Sequence, residues 1–218
     1  ASATAELSAA SGRRRSSVLL RSLLRDRYAT ASLIFLLIVL ICAIIGPSLL
    51  AEQARSLNLR GRNAPPFSLE NGWMFVLGGD ALGRSLLARI IVASQNTLLI
   101  AGSAVFLSML VGGFLGLVAG YRGGKVGAIL LRLADAIMSF PSMLLAVIVL
   151  FVFEPGVMNV VLVLAVSRIP IFMRTVRAEV LELKQRMFVT AARAMGAKKN
   201  RILLRHIAPM LLPTLINL

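Results

Sequence analysis

The sequence predicts an all-α fold, a polytopic bundle of transmembrane helices. Three observations carry this reading. Of the 218 residues, 58% are hydrophobic and only 15% are charged, whereas about a quarter of an ordinary soluble domain is charged. The apolar residues gather into runs close to the roughly 20 residues that a helix needs to cross a bilayer. The basic residues lie between those runs, in blocks whose density alternates along the chain.

Residues 1–28 form a basic amino-terminal segment with six arginines, Arg13, Arg14, Arg15, Arg21, Arg25 and Arg27. Its Ser/Ala-rich start reads as disordered, and 18–27 as a short amphipathic helix on the membrane surface. Residues 29–50 hold no charge over 22 positions and read as the first transmembrane helix, ending at Gly46-Pro47. The run is long for a signal sequence and no A-x-A site follows, so it reads as a retained anchor. Residues 51–95 carry too many charges to span and form an external segment, punctuated by Pro65-Pro66 and Gly78-Gly79.

The core of the bundle is expected over 96–218. The second span is 96–119, where Gly112, Gly116 and Gly120 recur every fourth residue and line one helix face. Such a stripe lets a second helix backbone come close. The third span is 131–153, with Arg132 and Asp135 spaced to pair on one face and Pro141 placed to kink it. A tight turn at 154–156 leads to a fourth, weaker span, 157–175, interrupted by Arg168 and Pro170. Residues 177–208 are charged and helical by pattern. A fifth span begins at 209, with Pro209 and Pro213. Its apolar run, 207–218, has 12 residues, too few to cross, so the chain is expected to be a fragment of a longer protein.

Basic residues mark cytoplasmic segments. Ten lie from Arg168 to Arg205, and three, Arg122, Lys125 and Arg132, from the second span into the start of the third; in 51–95 five arginines stand against Glu52, Glu70 and Asp80. This places the amino terminus and 177–208 inside and 51–95 outside. The net charge of +15 is then a matter of topology and of membrane lipid headgroups. Nucleic acid is not an expected partner: with one Trp and two Tyr there is little on which bases could stack.

No catalytic or cofactor site emerges. One cysteine, Cys42, and one histidine, His206, build neither a disulfide framework nor a metal cluster. The loop 120–125 is glycine-rich, but a Walker A motif needs Gly where Ala119 stands and Ser or Thr where Val126 stands. Arg168 and Asp135 are candidate pathway residues, because a charge inside a span costs about 3 kcal/mol or more and usually faces a bundle interior or water. Arg168 also lies close enough to the basic cytoplasmic end to snorkel, which is the favoured reading for it.

The segment Thr190-Ala191-Ala192-Arg193-Ala194-Met195-Gly196, with Pro209 thirteen residues on, resembles the EAA signature of binding-protein-dependent ABC importer permeases. Ala191, Ala192, Gly196 and Pro209 are in register; Thr190 replaces Glu, His206 replaces Ile and Ala208 replaces Leu. Other stretches resemble the dipeptide/oligopeptide/nickel branch, second-permease type: Asp80-Ala-Leu-Gly-Arg84-Ser85 through Arg89, with Ser85 for the usual Asp; Gly116-Leu-Val-Ala-Gly120-Tyr-Arg-Gly-Gly124; Asp135 through Phe140-Pro141; and Arg174-Thr-Val-Arg177.

The resemblance implies a type I ABC importer permease fold, truncated at its carboxyl end, in the inner membrane. It implies a second permease subunit, an external substrate-binding protein and two ATPase subunits that hold ATP and magnesium. It further implies that a coupling helix carrying Thr190, Ala191, Ala192, Gly196, Ala197, Lys198 and Pro209 sits in a groove of the ATPase. Arg84 and Arg89 are then candidate contacts for the external binding protein, or members of an ordinary surface helix. With no metal-ligand cluster in view, peptides are the favoured cargo over nickel; oligosaccharides are a further option, and a non-transport membrane anchor protein is the alternative outside this branch.

Overall fold

The computed structural model describes residues 26–152 and 156–218, the side chains of 199 and 200 excepted. Most of the surface helix expected at 18–27, and the turn residues Glu154 and Pro155, lie outside the described residues. In chain order the elements are α1 (Arg27–Arg55), three short 3-10 turns (Leu59–Gly61, Leu69–Asn71, Trp73–Leu77), α2 (Leu86–Arg122), α3 (Gly124–Ser139), α4 (Ser142–Val152), α5 (Val157–Leu183), α6 (Met187–Ala194), α7 (Lys199–Ile202), a π turn (Leu203–Ile207) and α8 (Ala208–Ile216). Among the described residues the only strand-like pairing is an isolated bridge between Gly79 and Ser85. Helices α1, α2 and α5 are long and apolar enough to cross a membrane, and the bent pair α3–α4 makes a fourth crossing if counted as one span. The chain divides into two compact units between Leu98 and Leu99.

In the first unit, Asp26 caps α1 by accepting the Tyr28 N–H at 2.9 Å. The helix does not stop at Gly46-Pro47 but continues to Arg55. Proline removes one hydrogen bond from a helix, and in an apolar helix the remaining ladder still costs less than leaving its groups open to hydrocarbon. Gly46 faces Ile91 of α2, where a β-carbon would lie 2.4 Å from the Ile91 Cγ2. The other faces of α1 expose Phe35, Leu36, Ile44 and Leu49, a surface suited to lipid.

Helix α2 begins ten residues ahead of the apolar run at 96, because Ser85 supplies a cap. Its buried hydroxyl accepts the Ala88 N–H at 3.2 Å and donates to the Met74 carbonyl at 2.7 Å. Serine does here what an aspartate would do at a helix start. At its far end α2 meets Gly123 and Gly124, whose φ of 62° and 52° turn the chain into α3.

In the second unit α5 is the hub, against which α3, α4 and α8 all pack. The third apolar run is two helices bent by 82° at Phe140-Pro141. Phe140 is extended (φ −87°, ψ 128°), as a residue before proline prefers to be. Two buried clusters hold the unit together. One joins Ala104, Val161 and Ala165. The larger one runs from Leu117 through Val176, Val180 and Leu183 to Val189, Ala192, Ile202, Ile207 and Leu211.

Candidate coupling site

Helix α6 has two faces. Val189 and Ala192 are buried in the larger cluster, against the end of α5 and against Ile202 and Ile207. Met187, Thr190, Ala191, Ala194 and Met195 are exposed. Positions 187, 191, 194 and 195 share one side of a helix by its 3.6-residue period, so two methionines and two alanines make a smooth apolar strip on a helix seated from beneath. Met187 and Met195 are 89% and 82% exposed, values that single them out as the most prominent side chains of the strip.

Gly196 ends the helix. Its φ is +80°, a conformation in which a β-carbon is strained. The Gly196 N–H donates to the Arg193 carbonyl and the Ala197 N–H to the Ala192 carbonyl, both at 3.0 Å. These are the two bonds of a Schellman stop. Ala197 then packs on the buried cluster, while Lys198 is exposed. The Lys198 carbonyl accepts the N–H groups of Arg201 and Ile202, at 2.9 and 3.1 Å, and starts the next helix. Pro209 is exposed in the first turn of α8, directly after the π turn. Lacking an N–H, it cannot close an α-helical bond back to Arg205, and a wider turn accommodates that gap.

The glycines of α2 lie against the backbone of α5. A β-carbon at Gly112 would be 2.6 Å from the Ile169 carbonyl oxygen, one at Gly116 2.6 Å from that of Met173, and one at Gly120 2.8 Å from the Val180 Cβ. Close approach of two helix backbones is what small residues permit. Lys184, just beyond α5, closes the end of this pair. Its Nζ donates to the Tyr121 carbonyl at 2.9 Å and reaches the Gly120 carbonyl at 3.4 Å, satisfying acceptors that the end of α2 leaves open. The ammonium also lies 5.5 Å from the centre of the Tyr121 ring.

The charged residues fall in two places. Asp135 of α3 does not pair with Arg132, its neighbour on the same helix, but with Arg174 of α5. Tertiary packing brings a residue 39 positions away nearer than the one three positions away. Arg168 is exposed and makes no ion pair among the described residues. In the first unit, Asp80 organises the loop before α2. Its Oδ1 accepts the N–H groups of Leu82 and Arg84 at 2.9 and 2.8 Å, and its Oδ2 accepts Arg84 Nε at 2.8 Å and Arg89 Nη1 at 2.5 Å. The Arg84 amide, followed by the Arg84 guanidinium and the Leu82 amide, outweighs burial and holds the Asp80 carboxyl down at about 2. Both arginines thus clamp their own loop.

Met187, Met195 and Lys184 hold no defining position in any motif of the sequence that points to a site. The methionines were legible from their i, i+8 spacing around Ala191. Lys184 was not, because its role depends on a helix end 63 residues earlier in the chain.

Two family models match this chain. Residues 112–218 match the binding-protein-dependent transport system inner membrane component, and residues 17–66 match the N-terminal transmembrane domain of oligopeptide transport permease C. A di/tripeptide transport system permease protein of Pseudomonas aeruginosa is 35% identical over 90% of this chain and 65% of its own length. A glutathione transport system permease protein of Pectobacterium atrosepticum is 36% identical, over 87% of this chain and 62% of its own. An oligopeptide transport system permease protein of Bacillus subtilis is 29% identical, over 84% and 59%. The chain therefore spans about two thirds or slightly less of the length of these relatives. From α1 to α8 its described helices fall within the matched regions or the α2 segment between them, and the chain belongs to the family of inner membrane components of binding-protein-dependent transport systems.

Proposed function

We propose that this chain is a permease subunit of an ATP-driven peptide importer, forming half of the translocation pathway with a second permease and catalysing no reaction itself. Two ATPase subunits would bind ATP and magnesium, and an external binding protein would deliver the cargo. The amino terminus and α6 would face the cytoplasm, in keeping with the basic residues that flank them. The observation that carries the reading is α6: a short helix with an exposed apolar strip, seated on a buried core and stopped by Gly196. A helix supported in this way transmits a push, because its buried face cannot slide without repacking the cluster around Val180 and Ile202. Peptides are the favoured cargo because the relatives carry peptide transport in their names.

The test is ATP-dependent uptake of a labelled dipeptide by the assembled transporter in proteoliposomes. Ala191→Glu places a carboxylate on the exposed strip and should reduce uptake about tenfold or more, as an unpaired charge does in a desolvated interface, while the permease still inserts. In a Cys42→Ser background, Met195→Cys should crosslink to the ATPase subunit. Wild-type uptake by Ala191→Glu together with no crosslink would sink the coupling role. Robust ATP-dependent uptake of nickel or an oligosaccharide in place of the peptide would overturn the cargo alone.

A further inference from the structure

We propose that the cavity beside α6 binds the headgroup of an anionic phospholipid, with Arg122, Lys184 and Arg193 around its phosphate. The cavity has a volume of about 880 Å³. Three cations line it and no carboxylate does. Among the described residues neither Arg122 nor Arg193 is in an ion pair, and both are exposed. Lys184 spends two hydrogen bonds on the end of α2, and an ammonium has three donors. Two guanidinium forks and one ammonium thus line a space where no carboxylate among the described residues neutralises them, a setting that recruits phosphate.

The rest of the lining separates a lipid from a free anion. Phe114, Val118 and Leu203 form its apolar wall, and Phe114 is exposed on a helix long enough to span. A soluble phosphate gains nothing from that wall, whereas the first carbons of an acyl chain do. Basic pockets at the cytoplasmic ends of membrane helices hold anionic headgroups by this combination. Arg193 belongs to α6 itself, so a lipid here would touch the helix assigned to coupling. The assignment rests on the cytoplasmic orientation proposed above.

The experiment is native mass spectrometry of the assembled transporter, with the full-length chain, counting phosphatidylglycerol and phosphatidylcholine retained after delipidation. Arg122→Gln with Arg193→Gln should weaken phosphatidylglycerol retention about fivefold per charge removed, about 25-fold for the pair, with phosphatidylcholine unchanged. Arg122→Lys with Arg193→Lys keeps both charges and should stay within about twofold of wild type. Arg60→Gln with Arg62→Gln removes the same charge from the outer loop and should change nothing. Equal retention in the Gln pair, or equal loss in the outer-loop pair, would overturn the site. Displacement of the lipid by millimolar inorganic phosphate would overturn the lipid assignment in favour of a free anion. Orientation is read separately: in a Cys42→Ser background, labelling of a Lys125→Cys variant by an impermeant thiol reagent from outside the cell would refute the topology, whatever the lipid counts.

Discussion

Gly116 of α2 lies against the backbone carbonyl of Met173 in α5: a β-carbon at Gly116 would stand 2.6 Å from that oxygen and 2.8 Å from the Val176 Cβ. Neither neighbour is the flexible end of a side chain, so even alanine there must push two helices apart. Gly116→Ala should cost about 1–3 kcal/mol, the usual range for overpacking. Gly113→Ala, one turn earlier, meets only the Leu215 methyls at 3.6 and 3.7 Å, an ordinary contact. It should stay within about 0.5 kcal/mol of wild type. Thermal unfolding of both variants in the same detergent compares them directly; equal losses would refute the backbone contact.

Gly196 makes a different demand. Nothing lies within 4 Å of where its β-carbon would be, yet its φ is +80°. The cost of Gly196→Ala is therefore conformational, about 1–2 kcal/mol, and Gly196→Asn should recover much of it, since asparagine tolerates the left-handed region. Hydrogen exchange at the Ala197 amide, which donates to the Ala192 carbonyl, reports the stop locally. Asparagine and alanine behaving alike would point to a cause other than φ.

Asp80 sets an acid limit on the loop between α1 and α2. Its carboxyl titrates at about 2, against an ordinary 3.8. A depressed carboxyl contributes stability that is fully present above the unfolded value and is lost as pH falls through the folded one. The loop should therefore hold from neutral pH down to about 3.8 and loosen between there and about 2. Trp73, the one tryptophan in the chain, reports on it, since the next residue's carbonyl receives the Ser85 hydroxyl. Its emission should shift in that window for wild type and show no such step in Asp80→Asn. A transition of the same size in both would clear Asp80 of the role.

The Asp135–Arg174 pair is half exposed on both sides, so it contributes little to stability, about 0.2–1 kcal/mol. Its interest is position: it ties α3, just ahead of the 82° bend, to α5. Asp135→Asn and Arg174→Gln should each lower the melting temperature by no more than a few degrees, as such an energy implies. In a double-mutant cycle on dipeptide uptake their effects should be non-additive. Additive effects would mean that the two residues act separately.

Much of this arrangement was legible in the residues alone. The uncharged stretch at 29–50 is a helix because a long apolar chain must satisfy its own backbone, and α1 extends beyond it at both ends. Pro141 is where the third run breaks. The spacing of Gly112, Gly116 and Gly120 put one bare stripe on one helix face. What spacing could not say is which helix fills that stripe, and a local rule misled where contacts were distant. Asp135 and Arg132 have the separation of a helical ion pair, but Arg174 is the partner. Pro47 has the look of a terminator, but α1 runs through it.

Hydropathy, charge alternation and turn chemistry are properties of neighbouring residues, so the sequence by itself determined the helical class, the membrane environment, the glycine stripe and the place of α6. Which side of α6 is buried, what Lys184 caps, and how Asp80 gathers two arginines were decided only by the tertiary structure. Each of these depends on groups that chain folding brings together from different elements or turns, and their distances follow from packing as a whole.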